Sequence, residues 1–333
     1  MAAEDVELLA GLTDLAVMGF VEVLSRLPFF WNLERQVGRL IDDGEFDLVI
    51  PVDYPGFNLR ITERAHAAGV PVVYYIAPQV WAWKAGRTVR LSRAADRIAV
   101  ILPFEEAIFR KAGANVEFVG HPLLDQRSKA PSREEYCATY GLDPHREILA
   151  LFPGSREQEI RRHLECFIDA GRLLRQRRPG LQLVIAQADG IRLQLVDHPD
   201  VVAVWDARPL LSHARAAIVK SGTSTLEAAL AGTPFVVAYR THPWTSWLAR
   251  RLVQVDHVAL ANLVADERVV PEILQDRATP AALAGALAPL LEEGEEREEV
   301  LTGLARVRSR LGQPGAATRV ARLAREVLGR VTG

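Results

Sequence analysis

Cysteine is scarce: Cys137 and Cys166 are the only two among 333 residues, and they sit in helix-like contexts without metal-ligand spacing. That excludes a disulfide framework and a cysteine zinc site, and it fits a reducing compartment. Neither sign of charge dominates. Forty Lys and Arg against 42 Asp and Glu leave a net charge of −2, so nothing draws the chain to nucleic acid in bulk. No apolar run reaches the roughly 18–20 residues that span a bilayer. The start, Met1-Ala2-Ala3-Glu4-Asp5, is acidic and unlike a signal peptide, so the expectation is a cytoplasmic protein. Internal repeats and low-complexity segments are also lacking. There is no Gly-x-x-x-x-Gly-Lys-Ser/Thr loop and no Gly-x-Gly-x-x-Gly. Nor is there an Asp-x-Asp pair of the kind that holds a metal against a sugar diphosphate. Any diphosphate chemistry is then expected to rest on arginine and helix N-termini, with no metal and no cofactor.

What is present is an ordinary globular mix, 49% apolar and 25% charged, with a length that suits about two domains. Continuous apolar runs at 47–52, 70–76, 97–101 and 116–119 alternate with helical stretches near 57–69, 84–95 and 104–112. Residues 126–146 turn polar and carry Pro131, which makes the stretch a candidate linker or boundary. A second series of runs follows at 147–152, 181–186, 201–205, 216–219 and 235–238, and from about 281 the chain reads as helix. Buried strands alternating with helices predict parallel sheets covered on both faces. The expected architecture is α/β, with two doubly wound domains and a cleft at the carboxyl ends of their strands. The predicted divisions are 1–143, 144–310 and a C-terminal helix at 311–333 that packs back on the first domain.

The most informative stretch is 221–240. An apolar run leads into Ser221-Gly222-Thr223, a helix with one acid, Glu227, and a second apolar run. Small residues let the backbone approach a phosphate, and the helix N-terminus offers N–H groups and a positive dipole end. An acid a turn into that helix reaches back to sugar hydroxyls. Pro153-Gly154-Ser155-Arg156 closes the first strand of the second series and sets an arginine fork, suited to a diphosphate, at another helix start. The bland alternative there is a helix cap with a solvated arginine.

Asp53 ends an apolar strand, where burial would tune it as a base; the alternative is an Asx-turn. His121, in Gly120-His121-Pro122, also lies at a strand end and ranks below Asp53. Trp81 and Trp83 precede a basic series, Lys84, Arg87, Arg90, Arg93 and Arg97, spaced to share one helix face. That face is either solvated or set against lipid phosphates. The N-terminal segment around Phe20, Val21, Leu24, Leu27, Phe30 and Trp31 exceeds one helical stripe, so it is either core or a patch that meets a bilayer surface or acyl chains. Trp244-Thr245-Ser246-Trp247-Leu248-Ala249-Arg250-Arg251 has a similar character.

These segments together resemble the lipid-A-disaccharide synthases, bacterial glycosyltransferases of GT-B fold. The resemblance is carried in family order by Val52-Asp53-Tyr54-Pro55-Gly56-Phe57-Asn58, Pro78-Gln79-Val80-Trp81-Ala82-Trp83, Leu102-Pro103-Phe104-Glu105, Gly120-His121-Pro122, Pro153-Gly154-Ser155-Arg156, Ser221-Gly222-Thr223 through Glu227, and Asn262-Leu263 with Val270-Pro271-Glu272 to Gln275. It implies two Rossmann-like domains with an interdomain cleft. It also implies an inverting, metal-independent transfer from UDP-2,3-diacylglucosamine to 2,3-diacylglucosamine 1-phosphate (lipid X), which gives a β-1,6-linked disaccharide and UDP. Asp53 matches the base and Arg156 the diphosphate arginine. Gly154, Ser155, Ser221, Gly222, Thr223 and Glu227 match the UDP cradle, with Asn262 and Gln275 near it. The apolar N-terminus and the Trp81–Arg87 region then face the acceptor and the cytoplasmic side of the inner membrane, and a homodimer is implied.

Two departures are visible. Gly56 stands where many members have a second Asp, and the family's opening strand with its Gly-Glu-x-Ser-Gly-Asp loop has no match here. The expectation is a chain that begins inside the family pattern. Two other readings cover part of the pattern: another GT-B UDP-GlcNAc enzyme, either a transferase or a 2-epimerase, and a shortened homologue that binds UDP or membranes without catalysis.

Overall fold

The computed structural model describes residues 6–11, 20–79, 85–126, 130–188, 190–191, 193, 195–241 and 257–331; the side chains of 20–27, 85 and 330–331 lie outside what is described. The chain forms two compact units, Met1–Pro122 with Gly315–Gly333, and Leu123–Pro314.

The first unit comprises α1 (Phe20–Asp42), α2 (Pro55–Ala67), β1 (Val73–Tyr75), α3 (Ala85–Ala94), β2 (Arg97–Val100), α4 (Pro103–Lys111) and β3 (Val116–Phe118). Its sheet, β1-β2-β3, is parallel throughout. Proline opens α2 and α4, where its fixed φ suits a helix start and its missing N–H is not needed. The strand expected over 47–52 is realised as two parallel bridges beside β1, Val49 to Val72 and Val52 to Tyr75. The pairing continues to its end: Tyr75 N donates to Pro51 O at 2.8 Å and Asp53 N to Tyr75 O at 3.0 Å. Ile50 and Val52 on this edge are exposed.

The second unit comprises α5 (Arg133–Tyr140), β4 (Ile148–Phe152), α6 (Glu157–Arg177), β5 (Gln182–Ala186), β6 (Val201–Val204), α7 (Ala207–His213), β7 (Ala216–Lys220), α8 (Ser224–Ala231), β8 (Phe235–Tyr239), α9 (Leu260–Ala265), β9 (Glu272–Leu274), α10 (Pro280–Leu291) and α11 (Glu295–Arg310). Six parallel strands lie in the order β6-β5-β4-β7-β8-β9. Every residue of β4 and the first four of β7 and β8 are buried. Side chains alternate between faces, so both faces of the sheet are covered. β9 has no counterpart among the apolar runs, because it is three half-buried residues that include Glu272.

The boundary falls at 122/123 rather than at 143/144. The segment 133–143 is tied into the second unit: Arg133 donates to Pro144 O at 2.7 Å, to Arg146 O at 2.7 Å and to His213 O at 2.5 Å, and Tyr140 Oη donates to Asp206 at 3.0 Å. At the other end the division lies at 314/315 rather than 310/311, because α11 runs on to Arg310 and a short turn completes the second unit.

The chain then returns to the first unit as α12 (Ala316–Val331). Val320, Leu323 and Val327 share a core with Val73, Ala99 and Val119. Arg319 Nε donates to Val119 O at 2.8 Å, and Arg97 pairs with Glu326 at 3.0 Å. Among the described residues no helix is long and apolar enough to cross a membrane.

Leu323 is fully buried where α12 meets the sheet. Leu323→Ala is expected to destabilise the chain by about 2–5 kcal/mol in urea titration. A change under about 1 kcal/mol would show that α12 is not part of this core.

Candidate active site

In a parallel sheet all carboxyl ends lie along one edge. In the second unit β4 leads outward to β5 and β6, while its neighbour β7 leads the other way to β8 and β9. The loops after β4 and β7 therefore open at the point where the winding reverses, which is where α/β sheets form their binding crevice.

The β4 loop turns at Gly154, whose φ is +132°. A Cβ there would lie 2.6 Å from Glu159 Cβ, so glycine is required both by conformation and by space. Arg156 is the extended N-cap of α6 and uses no side-chain cap; its guanidinium is 55% exposed and 3.5 Å from Glu159 Oε1. Glu159 is the hub of this loop. Its Oε2 accepts from Ser155 N at 3.2 Å and its Oε1 from Lys220 Nζ at 2.8 Å. Burial works against its charge, but the Lys220 hydrogen bond, with Lys220 and Arg156 as neighbouring cations, holds the carboxyl below the usual range. One turn on, His163 is buried and accepts from Arg240 N at 2.9 Å through Nε2, so Nδ1 carries the proton given to Glu159 O at 2.7 Å. That ties the end of β8 to the start of α6.

The β7 loop is Ser221-Gly222-Thr223. Ser221 is buried; its N–H donates to Ala238 O at 3.0 Å and its hydroxyl to Val258 O at 2.9 Å. Gly222 has φ +155°, and exposed Thr223 opens α8 without a side-chain cap. Glu227, a turn into α8, sits 3.5 Å from Arg208 Nε and lines a cavity of about 180 Å³ with Arg208, Leu123, Gln126, Leu211 and Leu230.

Asn262, expected near the UDP cradle, is turned into the interior of the second unit. It is completely buried, and its amide is saturated: Nδ2 donates to Val270 O at 3.0 Å and Glu272 Oε1 at 2.8 Å, while Oδ1 accepts from Val269 N and Val270 N, both at 2.9 Å. Glu272 in turn accepts from Val258 N at 3.0 Å and Ala259 N at 2.9 Å, capping the start of α9. Because Val258 O receives the Ser221 hydroxyl, Asn262 supports the β7 turn from behind. Gln275, left-handed at φ +54° after β9, accepts from Thr241 N at 3.2 Å and joins the ends of β8 and β9.

In the first unit Asp53 and Tyr54 are consecutive left-handed residues, at φ +51° and +45°. Two such non-glycine residues in a row are costly, of order 1–3 kcal/mol each, and persist only when held. Asn58 Nδ2 donates to both Val52 O (2.9 Å) and Asp53 O (2.7 Å), and Tyr74 Oη donates to Asp53 O at 2.9 Å. Buried Phe30 stacks on Tyr54 at 6.0 Å. The burial expected around Asp53 is not found; the turn leaves its carboxylate exposed. The nearby Tyr74 phenol is raised by its own burial and then by the charge of Asp53.

His121 is buried, and that burial lowers it to about 4, so the ring is neutral at neutral pH. It follows β3 while Asp53 follows the opposite edge, about 14 Å away across three strand spacings. The structure does not bring these two together.

The basic series is not one helix face. α3 ends at Ala94 and Arg97 lies in β2, paired with Glu326. Arg90 is paired with Glu63 at 2.7 Å, Arg87 is half-buried and Arg93 is exposed. Of the N-terminal residues, Phe30 belongs to the core and Trp31 is 58% exposed. The side chains of Phe20, Val21, Leu24 and Leu27, residues Trp81, Trp83 and Lys84, and the 244–251 stretch lie outside what is described.

The sequence reading missed Lys220 and His163 altogether. A cation closing an apolar strand just before a small-residue turn was the available signal for the first, and the four-residue spacing from Glu159 to His163 on one helix for the second.

The family model described as lipid-A-disaccharide synthetase matches residues 1–326. The chain is 41% identical to the lipid-A-disaccharide synthase of Geobacter metallireducens, covering 99% of this chain and 88% of that protein. Among solved structures it is similar to the UDP-GlcNAc 2-epimerase of Neisseria meningitidis, solved bound to UDP-GlcNAc, with TM-score 0.62 and 14% identity over 92% of this chain and 82% of the other. It is also similar to CalG4, the calicheamicin glycosyltransferase, with TM-score 0.56 and 19% identity over 96% and 83%. At these identities the structures speak to fold alone: two Rossmann-like units of GT-B type.

Asn262→Ala strands two buried backbone N–H groups, so thermal or urea unfolding should show a loss of about 2–5 kcal/mol. Unchanged stability with lost UDP affinity would return Asn262 to the ligand. For His121, the unfolded chain binds a proton below about pH 6.5 that the folded chain refuses until about pH 4. Stability should therefore fall as pH drops through that window, by roughly 3 kcal/mol from this residue. Urea titrations should show a shallower fall for His121→Gln, with the remaining slope shared by His163, which burial also lowers.

Proposed function

The chain belongs to the lipid-A-disaccharide synthase family, and from that premise we infer how its residues divide the work. As a hexosyltransferase of this family it makes lipid A disaccharide, joining the sugar of UDP-2,3-diacylglucosamine to lipid X and releasing UDP.

The observation that carries the assignment of roles is the meeting of the Gly154–Arg156 and Ser221–Thr223 loops at the reversal of the six-stranded sheet. On this reading the donor's diphosphate lies on those loops. The α6 and α8 N-termini and the exposed Arg156 oppose its charge as the bond from the anomeric carbon to the phosphate oxygen breaks. Glu227 reaches the ribose hydroxyls, exchanging Arg208 for them. Gln275 and Asn262 shape the crevice without contacting the base.

Asp53 takes the proton of the acceptor's 6-hydroxyl, whose oxygen attacks the anomeric carbon with inversion. The left-handed turn clamped by Asn58 and Tyr74 presents the carboxylate to the acceptor. Asp53 is preferred over His121, because an imidazole lowered to about 4 by burial is a poor base at neutral pH. Both substrates carry acyl chains, so the reading extends to peripheral attachment at the cytoplasmic face of the inner membrane, with exposed Trp31 as one contact. It extends also to a homodimer.

Disaccharide formation from the two lipid substrates in detergent micelles tests these roles. Asp53→Asn should lower kcat about 100- to 10,000-fold with UDP affinity retained. Arg156→Ala should lower kcat/KM about 10- to 100-fold, with only partial recovery in Arg156→Lys, whose ammonium lacks the guanidinium fork. A fully active Asp53→Asn would remove the assigned base. Interconversion of UDP-GlcNAc epimers without transfer would favour the epimerase chemistry of the structural neighbour.

A further inference from the structure

Lys220 is the least expected residue of the second unit. It ends β7 after four completely buried apolar residues, and its side chain is 15% exposed. Taking an ammonium out of water is costly, and a buried ion pair is on average no better for stability than apolar residues of the same volume. Stability alone gives no reason for a cation here.

Its placement does. Nζ is 2.8 Å from Glu159 Oε1 and 5.7 Å from the centre of the Tyr239 ring. It is also 3.6 Å from where a Cβ on Gly222 would stand, so the ammonium lies against the open side of the Ser221-Gly222-Thr223 turn. The same Glu159 binds Ser155 N and approaches Arg156. One carboxylate thus gathers a backbone donor, a guanidinium and an ammonium from the two loops that meet at the sheet's reversal.

We propose that Lys220 is the second cation of the donor site, binding the diphosphate of the UDP-sugar opposite Arg156, with Glu159 holding it in place while the site is empty. The proposal rests on the reading of these loops as the UDP site. An ammonium has three donors, so it can keep Glu159 and take a phosphate oxygen, and the diphosphate supplies the negative charge still needed to balance two cations that Glu159 alone only partly neutralises. The result is a pair of cations on the leaving group, one exposed, the other half-buried and held by Glu159.

Calorimetric titration of UDP and of uridine into the 333-residue chain tests this. Lys220→Met should weaken UDP about 10- to 100-fold and uridine by less than about twofold, while Lys220→Arg stays within several-fold of the wild type. Lys220→Met also leaves the half-buried Glu159 without its ammonium, so the double variant Glu159→Gln/Lys220→Met is needed; it removes both charges and should regain the melting temperature. If Lys220 touches the diphosphate, the double variant stays weak for UDP. Recovery of UDP affinity together with stability would make the pair structural and overturn the proposal, as would a folded Lys220→Met that binds UDP like the wild type. A wild-type chain that binds no UDP would instead overturn the donor-site reading itself.

Discussion

Parallel strands oblige every carboxyl end of the second unit's sheet to lie on one edge, and the reversal of winding between β4 and β7 parts two loops there. Burial of the strands on both faces enforces this arrangement, because each connection must cross as a helix over one face or the other. The glycines, the helix N-termini and Arg156 all take their positions from it. Without parallel pairing of β4 with β7, residues 154–156 and 221–223 would have no reason to meet.

Polar groups then decide which parts of that edge are rigid and which are open. Glu159, Asn262 and Glu272 are consumed by backbone N–H groups and by Lys220. His163 joins α6 to Arg240. These bonds satisfy donors that burial would otherwise strand, and they leave Arg156 and Thr223 exposed. The first unit uses the same logic on a strained turn: Asn58 and Tyr74 occupy the Val52 and Asp53 carbonyls, and the Asp53 carboxylate stays exposed. Strain of this kind persists only where the surrounding structure holds it, as these hydrogen bonds do.

Much of this was legible in the chain itself. The apolar runs at 147–152, 216–219 and 235–238 became β4, β7 and β8, because a strand buried on both faces has to be continuously apolar. Gly154 and Gly222 marked the turns. The run at 47–52 gave two bridges rather than a strand, and β9 was hidden, since three half-buried residues with a glutamate carry no periodic signal. The boundary was misplaced by about one short helix because polar residues 126–146 look like a linker, while Arg133 and Tyr140 bond into the second unit through residues distant in sequence.

Local residue chemistry determined the α/β class, the alternation of strands and helices, the phosphate-compatible turns and the acid at a strand end, because each depends on neighbours within a few positions. Tertiary structure alone decided which polar side chains remain available. Asn262 is spent on loops eight residues away, and Lys220 meets a carboxylate 61 positions earlier. His121 is neutral because it is buried, and Asp53 is exposed because its turn is held open. Hydrogen-bond saturation and desolvation depend on what surrounds a group in space, and no spacing along the chain encodes that.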